Sequence, residues 1–165
     1  MRHVAIRVVA LVVALVVSGC PRGGGDTTPA RPQTPTEVVA AARATIEQWR
    51  QAYEVASLEA LAKLYAHTID LVVVQDGQPL VGWKSVQSML KDRLARYQDI
   101  HVRLKDIQVQ SLGPNAAVAT AAMTRELGDG VTTITESGAL TIVLRKDGET
   151  WHIVTEHYSY KRGGS

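Results

Sequence analysis

A single thiol is the group best placed for covalent chemistry in this 165-residue chain. Cys20 is its only cysteine and ends the run Val17-Ser18-Gly19-Cys20, behind a basic head and an apolar stretch over residues 8–17. About ten apolar residues rise only ~15 Å as a helix, roughly half the hydrocarbon thickness of a bilayer, so the stretch is too short for a stable membrane anchor. A basic head, a short apolar core and small residues are typical of a cleaved export signal.

The end of this signal resembles the bacterial lipobox, which implies that the Cys20 thiol receives a diacylglyceryl group and that cleavage before it exposes an amine that is also acylated. The alternative is an ordinary secretory signal, but a cysteine at the end of the apolar core favours lipidation. Two or three acyl chains hold a protein on its membrane. Pro21, instead of aspartate, implies the periplasmic side of the outer membrane in a cell with two membranes, and the cell surface otherwise.

Composition divides the chain into four parts. We predict a signal peptide over residues 1–19, the lipidated cysteine with a Pro- and Gly-rich tether over 20–36, one folded domain over 37–160, and a tail over 161–165. Loss of two arginines with the signal leaves 16 basic residues (18 minus 2) against 16 acidic ones. A neutral domain without a basic cluster does not predict nucleic-acid binding.

Three helices are predicted in the first half of the domain. Thr34 and Glu37 form a capping-box pattern that starts a helix running to about Glu54. Ser57 is expected to cap a second, shorter helix, and Gly82 precedes a third.

Strands dominate the second half. A small hairpin is predicted around Asp76-Gly77, and from His101 onward four runs with a period of two are separated by turn residues. The apolar parity switches inside the first run, which predicts a β-bulge near Lys105-Asp106. The predicted fold class is therefore α+β, with three helices packed on one face of a strongly bent antiparallel sheet.

This order of elements carries a family resemblance. Trp49 and Tyr53 on the first helix, and the closing string from Trp151 to Ser159, resemble the SnoaL-like branch of the nuclear transport factor two superfamily over residues 37–160. The resemblance implies a cone-shaped, cystatin-like roll with a pocket between helices and sheet, often in a homodimer. Its members include isomerases, dehydratases, cyclases and binding modules, so the fold does not name a function.

The chain departs from the best-understood chemistry of that superfamily. In ketosteroid isomerase an aspartate base works beside a tyrosine and a protonated carboxylic acid. The resemblance places Val73 at the position of the base, Trp49 at that of the tyrosine, and a position near Thr141 at that of the acid. None of these side chains can act as a carboxylate base.

Strict alternation along the last strands separates two faces, and the resemblance implies that the face bearing Thr141, Glu156 and Tyr158 lies toward the helices. Six residues are expected to line one ligand-binding cavity: Trp49, Tyr53, Arg125, Thr141, Glu156 and Tyr158. Arg125 and Glu156 are expected to pair as a structural salt bridge. If the domain is an enzyme, Glu156 is the candidate base, aided by Arg125 or Tyr158, with Asp70 as the alternative.

The same alternation assigns an apolar set to the face that the helices leave open, and an exposed apolar patch is typical of an interface. This set, Leu140, Ile142, Leu144, Trp151 and Ile153, predicts a homodimer, or alternatively a partner protein in the envelope.

Two functional hypotheses follow. The first, which the unmatched catalytic positions favour, is a non-catalytic, membrane-tethered domain that binds a small apolar or amphipathic ligand or an envelope protein. The second is an enzyme of the cyclase, dehydratase or isomerase type. The motifs predict neither a cofactor nor a metal site.

Overall fold

The computed structural model describes residues 31–162, which lie within one compact unit. Cys20, the signal and most of the tether lie outside the described residues. Three helices and six strands follow one another: α1 Pro35–Glu54, α2 Leu58–Leu64, β1 Val72–Gln75, β2 Gln78–Val81, α3 Trp83–Arg96, β3 Asp99–Ser111, β4 Ala116–Gly128, β5 Thr133–Asp147 and β6 Thr150–Arg162.

The predicted helix starts are confirmed. The backbone N–H of Glu37 donates to the Thr34 hydroxyl at 3.3 Å, and the Glu37 carboxylate accepts from the Thr34 backbone N–H at 2.7 Å. The Ser57 hydroxyl accepts from the Ala60 N–H at 3.1 Å at the start of α2. These bonds satisfy N–H groups that helix ends leave open, and so they fix where α1 and α2 begin.

The strands form one curled sheet in the order β2-β1-β6-β5-β4-β3. Its four long strands are antiparallel neighbours, as predicted, but β1 pairs with β6 in parallel. The predicted fold class is confirmed, and the sheet is a mixed one with a parallel pairing of β1 and β6 among antiparallel neighbours. The reason is the crossover: α3 carries the chain from the β1–β2 hairpin to the far edge, and the meander returns to β1 with β6 running alongside it.

Two bulges shape the long strands. The predicted one is confirmed, because the pairing of β3 with β4 shifts between Lys105 and Gln108 and Asp106 has a φ of 54°. The second lies between β5 and β6: Val143 pairs with Thr155 and Leu144 with Ile153, so that Val154 is an extra residue. This bulge reverses the alternation within β6.

The second bulge overturns the predicted interface. Trp151 and Ile153 face the helices together with Glu156 and Tyr158, since one extra residue separates the two pairs. All five members of the predicted apolar face are at most 7% exposed and belong to the hydrophobic core: Leu140, Ile142, Leu144, Trp151 and Ile153. They cannot form a dimer surface in the folded domain, and the homodimer loses the interface predicted for it.

The three helices supply the other side of this core. Buried side chains of α1, α2 and α3 pack on the inner face of the sheet, from Val38 at the start of α1 to Tyr158 near the end of β6. Within residues 31–162, no helix has the length and apolar character that crossing a membrane requires.

Gly138 marks a very close approach of β5 to β6. A Cβ atom at this position would lie 1.9 Å from the Ser159 carbonyl oxygen and 2.7 Å from the Tyr160 Cα, both of them backbone atoms. The two strands stay paired here only because residue 138 has no side chain.

We therefore expect Gly138→Ala to lower the free energy of unfolding by about 3 kcal/mol or more, at the upper end of overpacking costs. Denaturant unfolding of the soluble domain measures the loss. Ser137→Ala, at the neighbouring exposed position, is the control and should change stability by less than about 0.5 kcal/mol. Equal stability of the two variants would refute the close approach.

Candidate functional site

Polar groups are concentrated inside the roll. Four ionisable or amide side chains are at most 6% exposed: Gln75, Arg125, Glu136 and Glu156. They lie among apolar core residues together with the buried rings of Trp49, Tyr53 and Tyr65. Buried polar groups are costly unless they are hydrogen-bonded, so their partners decide what the interior can do.

The Glu156 carboxylate is held by two neutral donors. The Tyr65 hydroxyl donates a short hydrogen bond to Oε2, and the Gln75 amide donates to Oε1 at 3.1 Å. The Tyr65 oxygen in turn accepts from the Trp49 indole N–H at 2.9 Å. Both carboxylate oxygens are thus engaged by side chains of the domain itself.

A guanidinium extends this chain of bonds toward α3. Arg93 donates to the Gln75 amide oxygen and, at 3.4 Å, to the Tyr53 hydroxyl. Tyr53 packs edge-on against Trp49, with ring centroids 4.9 Å apart. We call the six residues of this chain the Glu156 cluster: Trp49, Tyr53, Tyr65, Gln75, Arg93 and Glu156.

The topology of the sheet brings these residues together. Parallel pairing sets Val73 of β1 beside Glu156 of β6, and Gln75, two residues further along β1, faces the same side of the sheet as Val73. Tyr65, just after α2, forms a bridge with Ile153, and the Ala66 N–H donates to the Ile153 carbonyl at 2.9 Å. The parallel crossover and this bridge therefore place donors from β1 and α2 on one carboxylate.

Arg125 pairs with a residue that sequence reasoning did not consider. Its Nε and Nη2 donate to the Oε2 of Glu136, at 3.1 and 2.6 Å, because the two residues lie directly opposite each other on β4 and β5. Glu136 Oε1 accepts from Arg162 at 3.3 Å, and Arg162 also reaches Asp76 at 3.4 Å. The predicted pair of Arg125 with Glu156 is wrong, since the nearer carboxylate neutralises the guanidinium.

Five of the six predicted pocket residues face the interior: Trp49, Tyr53, Arg125, Glu156 and Tyr158. Thr141 does not, because it lies between the buried Leu140 and Ile142 and points to the other face of the sheet. Asp70 is exposed, with its carboxylate 3.8 Å from Arg145, so it is not a carboxylate of the interior.

Four further residues reach the polar interior that were not predicted as site residues: the buried Tyr65, Gln75 and Glu136 and the half-buried Arg93. The apolar pattern of α2 predicts an ordinary core residue at Tyr65. No sequence pattern marks Gln75 or Arg93 as part of a site. Glu136 has the same parity as Leu140 and Ile142, which were expected on the open face, and it faces inward with them.

Burial and neighbouring charge keep the interior tyrosines protonated. Burial, followed by the negative charge of Glu156, raises the pKa of Tyr65 well above its ordinary value, and the same two causes raise the pKa of Tyr53. Burial raises the pKa of Tyr158 to about 12. Burial disfavours the charged form of Arg125, but the negative charges of Tyr53, once it ionises, and of Glu136 outweigh it, so that the Arg125 pKa is raised.

Larger pockets lie on the surface. One of about 630 Å³ lies between the end of α2 and the β5–β6 hairpin, and its lining includes Lys63, His67, Arg145 and His152. Inside the roll, by contrast, a void lined by Ile46, Ile142 and neighbouring core residues measures about 10 Å³, too small to hold a ligand.

Tyr65→Phe tests the Glu156 cluster. The variant leaves the Trp49 N–H without its acceptor and Glu156 without a donor, both in a buried site. We expect a loss of about 2 kcal/mol or more in the free energy of unfolding. Tyr97→Phe, whose hydroxyl takes no part in the cluster, is the matched control. A loss below about 0.5 kcal/mol for Tyr65→Phe would show that the bond contributes nothing.

A second prediction concerns alkaline pH. A tyrosine whose folded-state pKa lies above its unfolded value of about 10 contributes its full stability below pH 10, and loses it as pH rises through the folded-state pKa. Stability should therefore fall as pH rises from about 10 to 12. Tyrosinate absorbance followed together with circular dichroism checks this. Full ionisation of all five tyrosines near pH 10 in a still-folded protein would contradict it.

Comparison with known proteins places this geometry in context. A sequence profile of the SnoaL-like domain matches residues 42–162. No curated protein matches the chain.

Several solved structures share the fold. A candidate dehydratase of the NTF2-like family from Streptomyces avermitilis has a TM-score of 0.69 at 22% identity, covering 75% of this chain and 96% of its own. An NTF2-like superfamily protein from Salmonella enterica has a TM-score of 0.69 at 18% identity, over 76% and 92%. An uncharacterised protein with a cystatin-like fold from Caulobacter vibrioides has a TM-score of 0.62 at 17% identity, over 74% and 88%. At these identities the likeness is one of fold.

Proposed function

The chain belongs to the SnoaL-like domain family, and on that premise we propose that it is an exported lipoprotein whose domain binds a small ligand or an envelope partner without catalysing a reaction. In this proposal lipid on Cys20 holds the protein at its membrane and the tether lets the domain stand away from the lipid surface. The domain is the recognition part.

One observation carries the non-catalytic part of the proposal. Glu156 is fully buried and both of its oxygens accept hydrogen bonds from Tyr65 and Gln75. A general base must reach a substrate proton within hydrogen-bonding distance, directly or through one water. A carboxylate whose oxygens are occupied by fixed donors of the protein is better suited to holding the fold together.

The competing hypothesis is an enzyme of the dehydratase, cyclase or isomerase type with Glu156 as its base. It draws on the same carboxylate and on the candidate dehydratase with the same fold. The two hypotheses differ in what Glu156 contributes to stability. A structural carboxylate stabilises the fold, whereas residues kept for catalysis often cost stability, so that replacing them leaves a protein as stable or more stable.

Glu156→Gln separates the hypotheses. An amide at this position places an N–H₂ group against either the Tyr65 hydroxyl, whose proton then has no acceptor, or the Gln75 N–H₂ group, so one buried donor loses its acceptor whichever way the amide turns. The proposal predicts a loss of about 1–3 kcal/mol in the free energy of unfolding. Glu149→Gln, at the exposed β5–β6 turn, is the control. Unchanged or increased stability of Glu156→Gln would favour the enzyme.

Cys20→Ser tests the anchoring. Serine has nearly the same size but cannot form the thioether, so we expect the full-length protein to leave the membrane fraction and to lose the mass of its acyl chains. Fractionation and intact-mass measurement of the expressed protein check this. Ser18→Ala, which keeps a small residue before the cleavage point, should remain lipidated. Retention of Cys20→Ser in the membrane fraction would contradict lipid anchoring.

A further inference from the structure

Two pockets on the surface of the domain share a wall. The pocket of about 630 Å³ between α2 and the β5–β6 hairpin and a second one of about 410 Å³ beside the start of α3 are both lined by His67 and Thr68. His152 lines the first pocket and alternates with the buried Trp151 and Ile153, so this pocket lies outside the core. The two pockets are thus neighbours on the outside of the roll.

The shared wall is fixed in place. The His67 ring stacks on the Trp83 ring, with centroids 4.3 Å apart and an angle of 13° between the planes. His67 Nε2 lies 2.8 Å from the Ala62 carbonyl oxygen and donates to it, since a carbonyl can only accept. The Thr68 carbonyl accepts from the Trp83 N–H at 3.1 Å. A wall that is already ordered lowers the entropic cost of binding a molecule across it.

The larger pocket contains two cations whose ion pairs are weak. Lys63 and Arg145 line it together with one carboxylate, that of Asp147. Lys63 pairs with Glu59, but their side chains are 72% and 83% exposed, and Arg145 lies 3.8 Å from Asp70, beyond hydrogen-bonding distance. Exposed pairs contribute little stability, so both cations can bind a ligand anion at small cost. A phosphate group suits an arginine and a lysine together, because it offers several charged acceptor oxygens.

The smaller pocket is apolar. Ile69 and Val81 line it and are 91% and 57% exposed, and the Trp83 ring lies beside them. Only five large apolar side chains of residues 31–162 are exposed, and two of the five adjoin this pocket. Exposed apolar side chains that cluster, unlike single ones, are typical of a binding surface. An alkyl chain in this pocket would remove both side chains from water.

On these grounds we infer that the two pockets bind one molecule, an amphiphile with a phosphate head and a single alkyl chain. The head lies between Lys63 and Arg145, and the chain crosses His67 and covers Ile69 and Val81. We call the two pockets together the His67 groove. The inference rests on the proposed binding function, and it names the ligand class and a site for it on the outside of the domain.

The predicted lipid anchor keeps the His67 groove close to a source of such molecules. From Cys20 to Thr34 the extended chain reaches at most about 50 Å, so a membrane that holds the acyl chains lies within this distance. A concave pocket of about 630 Å³ can enclose the head of one amphiphile, whereas a bilayer presents many heads in one plane. The shape of the site therefore favours a single molecule over the membrane surface.

Three probes separate the head from the chain: decyl phosphate, decyltrimethylammonium, which has the same chain on a positive head, and butyl phosphate, which has the same head on a short chain. Calorimetric titration of the soluble domain from residue 31 onward, which forms one compact unit, gives the dissociation constants below micelle-forming concentrations. We expect decyl phosphate to bind about tenfold or more tighter than either of the others, because charged hydrogen bonds hold its head and each buried methylene adds affinity.

Two variants assign the ends of the ligand. Arg145→Gln removes a cation of the larger pocket and should weaken both phosphate probes about fivefold or more. Ile69→Ser should weaken decyl phosphate by a similar factor and leave butyl phosphate unchanged, because only the long chain reaches the smaller pocket. Arg103→Gln and Val131→Ser are the matched controls, since these residues are similarly exposed and line neither pocket. All four positions are exposed, so each variant should fold.

Three results would overturn the inference. Equal affinity for decyl phosphate and decyltrimethylammonium would show that the head is not recognised. Equal losses in Ile69→Ser and Val131→Ser would place the chain elsewhere. Absence of decyl phosphate binding, or binding only to vesicles of phosphatidylglycerol, would exclude a single bound amphiphile. The Cys20 and Glu156 experiments use none of these probes, so failure here leaves the proposed function to be decided separately.

Discussion

The fold depends on the hydrogen bonds that the buried carboxylate of Glu156 accepts. Moving an ionised carboxylate out of water costs several kcal/mol unless hydrogen bonds replace its hydration. For Glu156 these bonds come from Tyr65 and Gln75, which belong to different parts of the chain and converge only because β1 pairs in parallel with β6. The parallel pairing of β1 with β6 is thus what supplies the buried Glu156 carboxylate with its donors.

A second set of hydrogen bonds holds the buried carboxylate of Glu136. Arg125, Glu136 and Arg162 connect three neighbouring strands, while Gly138 lets β5 and β6 approach each other closely beside them. Both oxygens of Glu156 accept hydrogen bonds from side chains of the domain, whereas Arg125 Nη1 has no hydrogen-bond partner among the described residues. The two buried carboxylates, Glu156 and Glu136, are thus held by separate sets of donors. A roll of this kind can keep the family fold without the carboxylate chemistry found in some of its members.

Local signals in the sequence predicted much of the fold, and one missing signal accounts for most of the errors. Thr34, Ser57 and Gly82 mark the helix starts by their chemistry, and polar residues between Leu104 and Ile107 make the parity switch of β3 visible. In β6 the extra residue is Val154, next to Ile153. Because both are apolar, the switch leaves no trace in the pattern. Alternation continued past that point assigns Trp151 and Ile153 to the wrong face, and Leu140, Ile142 and Leu144 of β5 were assigned to that face with them.

The central claim is that Tyr65 and Glu156 form one structural unit, and a double-mutant cycle tests it most directly. Denaturant unfolding of Tyr65→Phe, Glu156→Gln and the double variant gives the interaction energy between the two side chains. Because Tyr65→Phe removes the shared bond, and Glu156→Gln either removes it or replaces its charged acceptor by a neutral one, the double variant should be less destabilised than the sum of the single ones, by about 1 kcal/mol or more. Additivity within about 0.3–0.5 kcal/mol would contradict the account, since the two groups would then stabilise the domain independently.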